Sequence, residues 1–451
     1  MSTSWGTCCI AGGGPAGMML GYLLARAGIE VLVLEKHADF LRDFRGDTIH
    51  PSTLEVMHEL GVLEEFLKRP HQESRRAIAR IGGEEIVLGD MSYLRTRCRF
   101  MALMPQWDFL DFLAEQGRRY PTFHLRMQTA VMGLIEEQGR IVGIRGNTPA
   151  GPVEVRADLV VGADGRNSVV RDRAGLKVEE VGAPMDVLWM RLSKRAGDPD
   201  LIAYSDRGRA LVLLDRGSYW QCGFSVPKGT AEEMQSKGIG EFQAGIVQLA
   251  PFLHDRMTEL GDWNDVKLLT VRVDRLQRWY RPGLVCIGDA AHAMSPVGGV
   301  GINLAIQDAV AAANILAEPL RKGAVSTRDL AQIQRRREFP TRITQRVQEV
   351  IRRQIGGSLA VPGPRRLPWI RRLLERATVL RRLRTRFIGV GVRPEHVKTP
   401  DVSVRSVAHS NLQSEYRRVK PGGLCMIHLW RIRRLSRVEG HMSKKKEATN
   451  V

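Results

Sequence analysis

Three short stretches of this chain set glycines and a carboxylate beside the start of a helix. Gly12-x-Gly14-x-x-Gly17 follows an apolar segment, residues 5–11, and opens a helical pattern. Gly28 stops that helix, an apolar run over 29–34 follows, and Glu35 stands 18 residues past Gly17. The arrangement recurs where an apolar run ends at Gly162-Ala163-Asp164-Gly165 and a helix begins near Ser168. It recurs again over 284–303, as an apolar strand, Gly288-Asp289, a loop with Pro296, Gly298, Gly299 and Gly301, and an alanine-rich helix starting near Ile302 and Asn303. A glycine-rich loop that opens a helix presents bare N–H groups and the positive end of the helix dipole, a setting for phosphate or for developing negative charge.

The first stretch is a complete βαβ fingerprint. Gly12 permits the tight turn, Gly14 lets a pyrophosphate approach the backbone, and Gly17 allows close helix–strand packing. Pro15 is tolerated in the first helical turn, followed by Ala16. Glu35 is placed to accept a hydrogen bond from a ribose hydroxyl. These features predict a dinucleotide site.

The elements that position these turns are legible in outline. After the fingerprint, 45–61 reads as a loop and then a helix from Ser52, with Ser52 and Glu55 as a capping box. Pro105 and Gln106 open another helix. Residues 181–275 change character: strand-like runs over 187–192, 210–214, 219–226 and 266–273, with one helix over 230–248. The expected architecture is α/β, a Rossmann-like dinucleotide domain (1–74, 105–180 and 277–320) with an inserted antiparallel β-sheet domain (75–104 and 181–276). A basic helical region (321–398) and a disordered tail (399–451) complete it. Trp189, Arg191, Tyr219 and Gln221 are the candidate substrate contacts on that sheet.

Composition narrows the classes. At 451 residues and 43% hydrophobic, the chain can build a large core. No apolar window long enough for a transmembrane helix is read, and no signal peptide. Six cysteines lie scattered without a CxxC pair, which predicts a reducing cytoplasm and no metal site. The net charge of +19 is a local property: residues 321–451 carry 32 Lys+Arg against 9 Asp+Glu, and the other 320 carry 36 against 40. The basic amphipathic segments over 365–387 suit helices covering the body of the protein, or a weak peripheral contact with an anionic membrane surface. Nucleic acid is not expected as a partner, because aromatic residues rarely interleave with the arginines.

In order and spacing, the three motifs resemble the single-component FAD-dependent aromatic hydroxylases, the para-hydroxybenzoate hydroxylase-like family of flavoprotein monooxygenases. The resemblance covers residues 5–397. It implies that Gly12, Gly14, Pro15, Ala16, Gly17, Glu35 and Lys36 hold the ADP half of FAD, with Arg45 and Gln106 nearby. Asp164 and Gly165 match a motif linked to both FAD and NAD(P)H. Gly288 and Asp289 would bind the ribityl or pyrophosphate region. Pro296, Gly298, Gly299, Gly301, Ile302 and Asn303 would lie against the isoalloxazine ring, with Pro296 and His50 as candidate catalytic residues and His292 close by. The implied reaction uses NADPH or NADH and O2 to hydroxylate or epoxidise an aromatic or polycyclic small molecule through a C4a-hydroperoxyflavin. No residue matches the family's phenol-binding tyrosines. A halogenase or isoprenoid reductase on the same fold is the nearest alternative, although the Trp-x-Trp-x-Ile-Pro stretch of such halogenases is absent. A basic protein binding membrane or nucleic acid is the alternative of a different class.

Overall fold

Gly12 has φ +108°, and a methyl group added to it would lie 2.3 Å from the Ala163 carbonyl oxygen. A methyl on Gly17 would lie 2.0 Å from the Gly12 carbonyl oxygen. Glycine at these two places lets helix α1 (Pro15–Arg26) leave strand β1 (Cys8–Ala11) sharply and pack close to it. In the computed structural model the described residues are 2–4, 6–41, 48–183, 185–200, 202–206, 208–356 and 378–402. Those up to Pro400 belong to one compact unit; a second, Asp401–Val451, is described only at its first two residues. The tail expected over 399–451 therefore falls almost wholly outside the described residues, as do Arg45 and residues 365–377.

Strand β2 (Val31–Leu34) follows α1 and runs parallel to β1. Helix α2 (Pro51–Glu59) begins one residue earlier than expected: Pro51 fills its first position and His50 is the N-cap, so Ser52 lies inside the first turn and forms no capping box. Strands β3 (Arg76–Ile81) and β4 (Glu84–Asp90) form a hairpin across Gly82 and Gly83, both at positive φ. Helix α3 (Gln106–Arg118), strand β5 (Phe123–Arg126), strand β6 (Leu159–Gly162) and helix α4 (Val169–Arg173) return the chain to the first sheet.

Strands β7 (Met185–Ser193), β8 (Ala203–Asp206), β9 (Arg209–Asp215), β10 (Tyr219–Pro227) and β11 (Lys267–Leu269) build the second large sheet. Its order is β11-β7-β10-β9-β8-β3-β4. All neighbours are antiparallel except β8 and β3, which run parallel. Leu188, Met190 and Leu192 face a core shared with Phe242 and Ile246, while Val187 and Trp189 face the other side with Val271 and Val273. The helix expected over 230–248 is two, Ala231–Ser236 and Ile239–Leu249, divided at Gly238 with φ +89°.

Strands β12 (Tyr280–Arg281) and β13 (Leu284–Cys286) complete the first sheet, ordered β12-β13-β6-β1-β2-β5 and parallel apart from the β12–β13 pair. Helix α5 (Gly301–Arg321) then runs through the core. Contrary to the sequence reading, the stretch Val297–Arg321 has the length and apolarity of a membrane span, but 78% of its apolar window is buried inside the protein. Helix α6 (Thr327–Gly356) packs beside it, and helix α7 (Thr378–Gly389) lies along β4, where the Thr385 hydroxyl accepts from the Asp90 N–H at 3.1 Å. The described part of the basic region thus covers the body of the protein.

Candidate active site

Parallel register brings the three motifs to one edge. Gly162 pairs with Ala11 on one side and Cys286 on the other, and Ala11 pairs with Leu34. The turns at Gly12, Asp164 and Gly288, and the carboxylate of Glu35, therefore all leave the carboxyl ends of adjacent strands, where open α/β sheets bind ligands. Gly288 has φ +58°, and a methyl there would lie 3.0 Å from the Cβ of Ala16 and 3.4 Å from the Cβ of Ala305. This glycine is what lets α1, the Gly288-Asp289 turn and α5 converge.

Two helix ends open onto that edge without a side-chain cap. Gly14 is the N-cap of α1 and Val300 that of α5. Each helix leaves its first N–H groups without intrahelical acceptors. A methyl added to Gly14 or Gly301 would meet nothing within 4 Å among the described residues. Open space over two uncapped helix ends fits a ligand with a pyrophosphate at one end and a polarisable carbonyl edge at the other. The loop leading to α5 reverses at Gly298 and Gly299, with φ +81° and +61°. Pro296 starts that turn, and Gln348 of α6 holds it by donating to the carbonyls of Ser295 and Val297, both at 2.8 Å.

Several expected ligand residues have structural work as well. Glu35 accepts from the N–H of Gly13 at 3.0 Å and of His37 at 3.1 Å, so its carboxylate is drawn onto the glycine turn. Asp164 accepts from the Ser168 hydroxyl at 2.5 Å and the Val170 N–H at 3.1 Å. Its carboxylate is thus turned onto the start of α4. Burial pushes this carboxyl up, against the pull of those hydrogen bonds. The Gly288 N–H is given to Asp308 at 3.1 Å. Lys36 is exposed, Gln106 begins α3, and Asp289 is partly exposed.

Asn303 is the busiest. Its side-chain oxygen accepts from the His50 N–H (2.9 Å) and the Thr53 hydroxyl (2.7 Å), and its amide donates to the carbonyls of Thr48 (3.1 Å) and Gly299 (3.3 Å). With all four side-chain bonds used within the protein, Asn303, Ile302 and Gly301 can meet a ligand through backbone N–H groups. Asn303→Ala is expected to lower FAD affinity about tenfold, because about 1–3 kcal/mol attaches to each buried polar group left unpaired. Flavin fluorescence titration together with Tm measures it; an unchanged affinity would contradict this reading.

The partners in the network beneath are not read from the sequence. Asp308, fully buried on α5, meets Nε2 of His292 at 2.5 Å and Nε of Arg337 at 2.9 Å. Arg337 also reaches the Arg393 carbonyl at 3.3 Å and Glu395 at 3.4 Å. Burial pushes the Asp308 carboxyl up, but the charge and hydrogen bond of His292, and then Arg337, outweigh it and hold the group below its usual range. His292 therefore serves the loop's support. A carboxylate on an otherwise alanine-rich helix was the available signal.

The four substrate candidates share one sheet face by register: Trp189 pairs with Gly223, and Arg191 with Gln221, two residues from Tyr219. They do not form one pocket. Trp189 lies over Gly223, where a methyl would be 3.1 Å from its ring. Arg191 stacks on Tyr219 at 3.7 Å, and both line an open cavity of about 420 Å³ with Ser193, Ser218, Glu259 and Asp265. Gln221 accepts from Arg216 at 3.2 Å. Burial pushes the carboxyl of Asp108, in the first turn of α3, above its ordinary value, opposed by the charges of Arg69 and then of Arg216, a residue missed in the sequence.

The FAD binding domain family profile matches residues 6–347. The chain belongs to that family. The 6-methylpretetramide 4-monooxygenase of Streptomyces rimosus is 34% identical over 380 residues, which is 83% of this chain and 91% of that protein. Rifampicin monooxygenase of Streptomyces venezuelae is 29% identical over 313 residues, 66% of this chain; the chain spans 61% of its length. Among solved structures, pqsL, a probable FAD-dependent monooxygenase of Pseudomonas aeruginosa, has the same fold, with a TM-score of 0.68 at 24% identity over 79% of this chain and 99% of that one. The protein is a flavoprotein monooxygenase, an oxidoreductase with FAD as cofactor and NAD(P)H as co-substrate.

Proposed function

We propose that this flavoenzyme hydroxylates a polycyclic aromatic compound, with NAD(P)H and O2 as co-substrates. The observation that carries the site assignment is the meeting of two uncapped helix ends and Glu35 at the carboxyl edge of three adjacent motif strands. The substrate class rests on the relative named for 6-methylpretetramide. Gly12, Gly14, Ala16 and Gly17 would take the pyrophosphate against the start of α1, and Glu35 the adenosine ribose. Asp289 would face the ribityl chain. The N–H groups of Gly301, Ile302 and Asn303 would stabilise negative charge at the pyrimidine edge of the ring. FAD supplies the electron transfer and oxygen chemistry when bound. The chain supplies position and dryness: the Trp189 and Gln221 face of the second sheet would wall the substrate side, with Arg216 holding Gln221.

Anaerobic titration with NADPH and then NADH, followed by flavin absorbance, tests this. The bound flavin is expected to bleach, and admission of labelled dioxygen with a polycyclic phenol is expected to place one labelled oxygen in the product. Failure to bind added FAD would overturn the reading. Chloride-dependent product mass would replace it with a halogenase.

A further inference from the structure

His50 is 1% exposed and sits against the turn that would face the flavin ring. Its Nδ1 is 2.7 Å from the Ile388 carbonyl oxygen, so in the neutral ring the proton resides on Nδ1. Nε2 has no hydrogen-bond partner among the described residues. It lies 3.8 Å from the point where a methyl on Gly299 would sit. A buried imidazole nitrogen left bare at a cofactor turn is unusual, because buried polar atoms are nearly always paired.

The surroundings act on this ring in opposite senses. Burial disfavours the imidazolium and is the largest influence, holding the group below its ordinary value. The backbone of Ile388, and then of Gly298 and Gly299, favours the charged form. An imidazolium could donate from both nitrogens, a neutral ring from only one. A cavity of about 30 Å³ lined in part by His50, Ser52, Asn303, Gln307, Arg337 and Thr344 adjoins the ring. It has room for one water. Of the groups facing the ring, α5 contributes the uncharged Asn303 and Gln307, and residues 387–392 contribute Phe387, Ile388, Val390, Gly391 and Val392. α6 contributes Thr344 and Arg337, whose charge is already committed to Asp308 and Glu395. No carboxylate lines that cavity among the described residues, so only backbone carbonyls favour the imidazolium there, and burial outweighs them.

We propose that His50 takes up a proton at Nε2 when negative charge develops at the Gly298–Gly299 turn, and so balances the charge of the reduced flavin. This rests on the FAD site assigned above. Two electrons and one proton reach the flavin, as hydride does, and leave it with one negative charge. A second proton, drawn from solvent, binds Nε2 and is released on reoxidation. An opposite charge within about 4–6 Å favours the charged form of a buried group, against the pull of burial.

The experiment is the midpoint potential of the flavin-loaded enzyme against pH between 6 and 8, read as protons taken up per two electrons. The wild type is expected to take two and His50→Gln one, with FAD still bound. Uptake of one proton by the wild type, or the same uptake in both proteins, would overturn the proposal. Should His50→Gln not fold, imidazole nitrogen NMR of the wild-type holoenzyme decides: His50 is expected to be neutral when oxidised and doubly protonated after dithionite. A ring neutral in both states would overturn the proposal. Failure of the wild type to bind FAD would instead overturn the site assignment beneath it.

Discussion

Gly12→Ala is expected to yield a protein that purifies without flavin and is destabilised even as apoprotein. The residue sits at φ +108°, where an L side chain is strained by about 1–3 kcal/mol. Its added Cβ would also lie 2.3 Å from the Ala163 oxygen, 2.6 Å from the Ala163 carbonyl carbon and 2.8 Å from the Asp164 Cα. These are backbone atoms at the end of β6, so relief requires moving the second motif. Strain and overpacking together predict a loss of about 3–5 kcal/mol and at least about 100-fold weaker FAD binding. Gly14→Ala is the comparison. Gly14 has φ −75°, and a methyl there meets nothing within 4 Å among the described residues. Its apoprotein should melt near the wild type while FAD affinity still falls, because the methyl occupies the pyrophosphate's approach. Scanning calorimetry and flavin titration of the two variants separate packing from ligand access. Full flavin occupancy in Gly12→Ala would contradict the account of the turn.

The contrast between those glycines shows what a sequence discloses. The spacing of Gly12, Gly14 and Gly17 carries the turn, and the parallel runs around it carry the strands, because both are local rules of backbone sterics and periodicity. Sequence spacing alone does not show that Gly162 pairs with both Ala11 and Cys286; that follows from strand order, set by contacts between residues more than a hundred positions apart. Side-chain partners were the least legible. Asn303 reads as a ligand residue because it sits at the end of a motif, yet its amide clamps Thr48, Thr53, His50 and Gly299. The capping box at Ser52 failed because Pro51 fills the first helical position and moves the cap to His50. Of the four candidate substrate residues, alternation along β7 and β10 accounts for their sharing a face, Trp189, Arg191, Tyr219 and Gln221 together, but which of them packs inward depends on Gly223 and on the turn at Arg216.

The ion network under α5 is the part furthest from sequence reading, and its disruption should cost the most among side-chain changes. Arg337→Met is expected to lose about 3–5 kcal/mol at pH 7, because it leaves the fully buried Asp308 with one partner fewer and Glu395 without a cation it now shares. The loss should reach the flavin site, since Asp308 also holds the Gly288 N–H and His292. The pH dependence has a definite sign. Asp308 is held below its usual range in the folded protein, so its contribution is complete above the unfolded carboxylate's pKa of about 3.9 and is lost as pH falls toward the lower folded value. The gap in Tm between wild type and Arg337→Met should therefore be constant at neutral pH and narrow below about pH 4, where the wild type gives up what the variant has already lost. A gap that stayed constant into acid would mean that Arg337 acts by packing its aliphatic stem against α5. In that case Arg337→Lys, which keeps an aliphatic stem, would recover the stability at every pH and flavin retention would be indifferent to the charge.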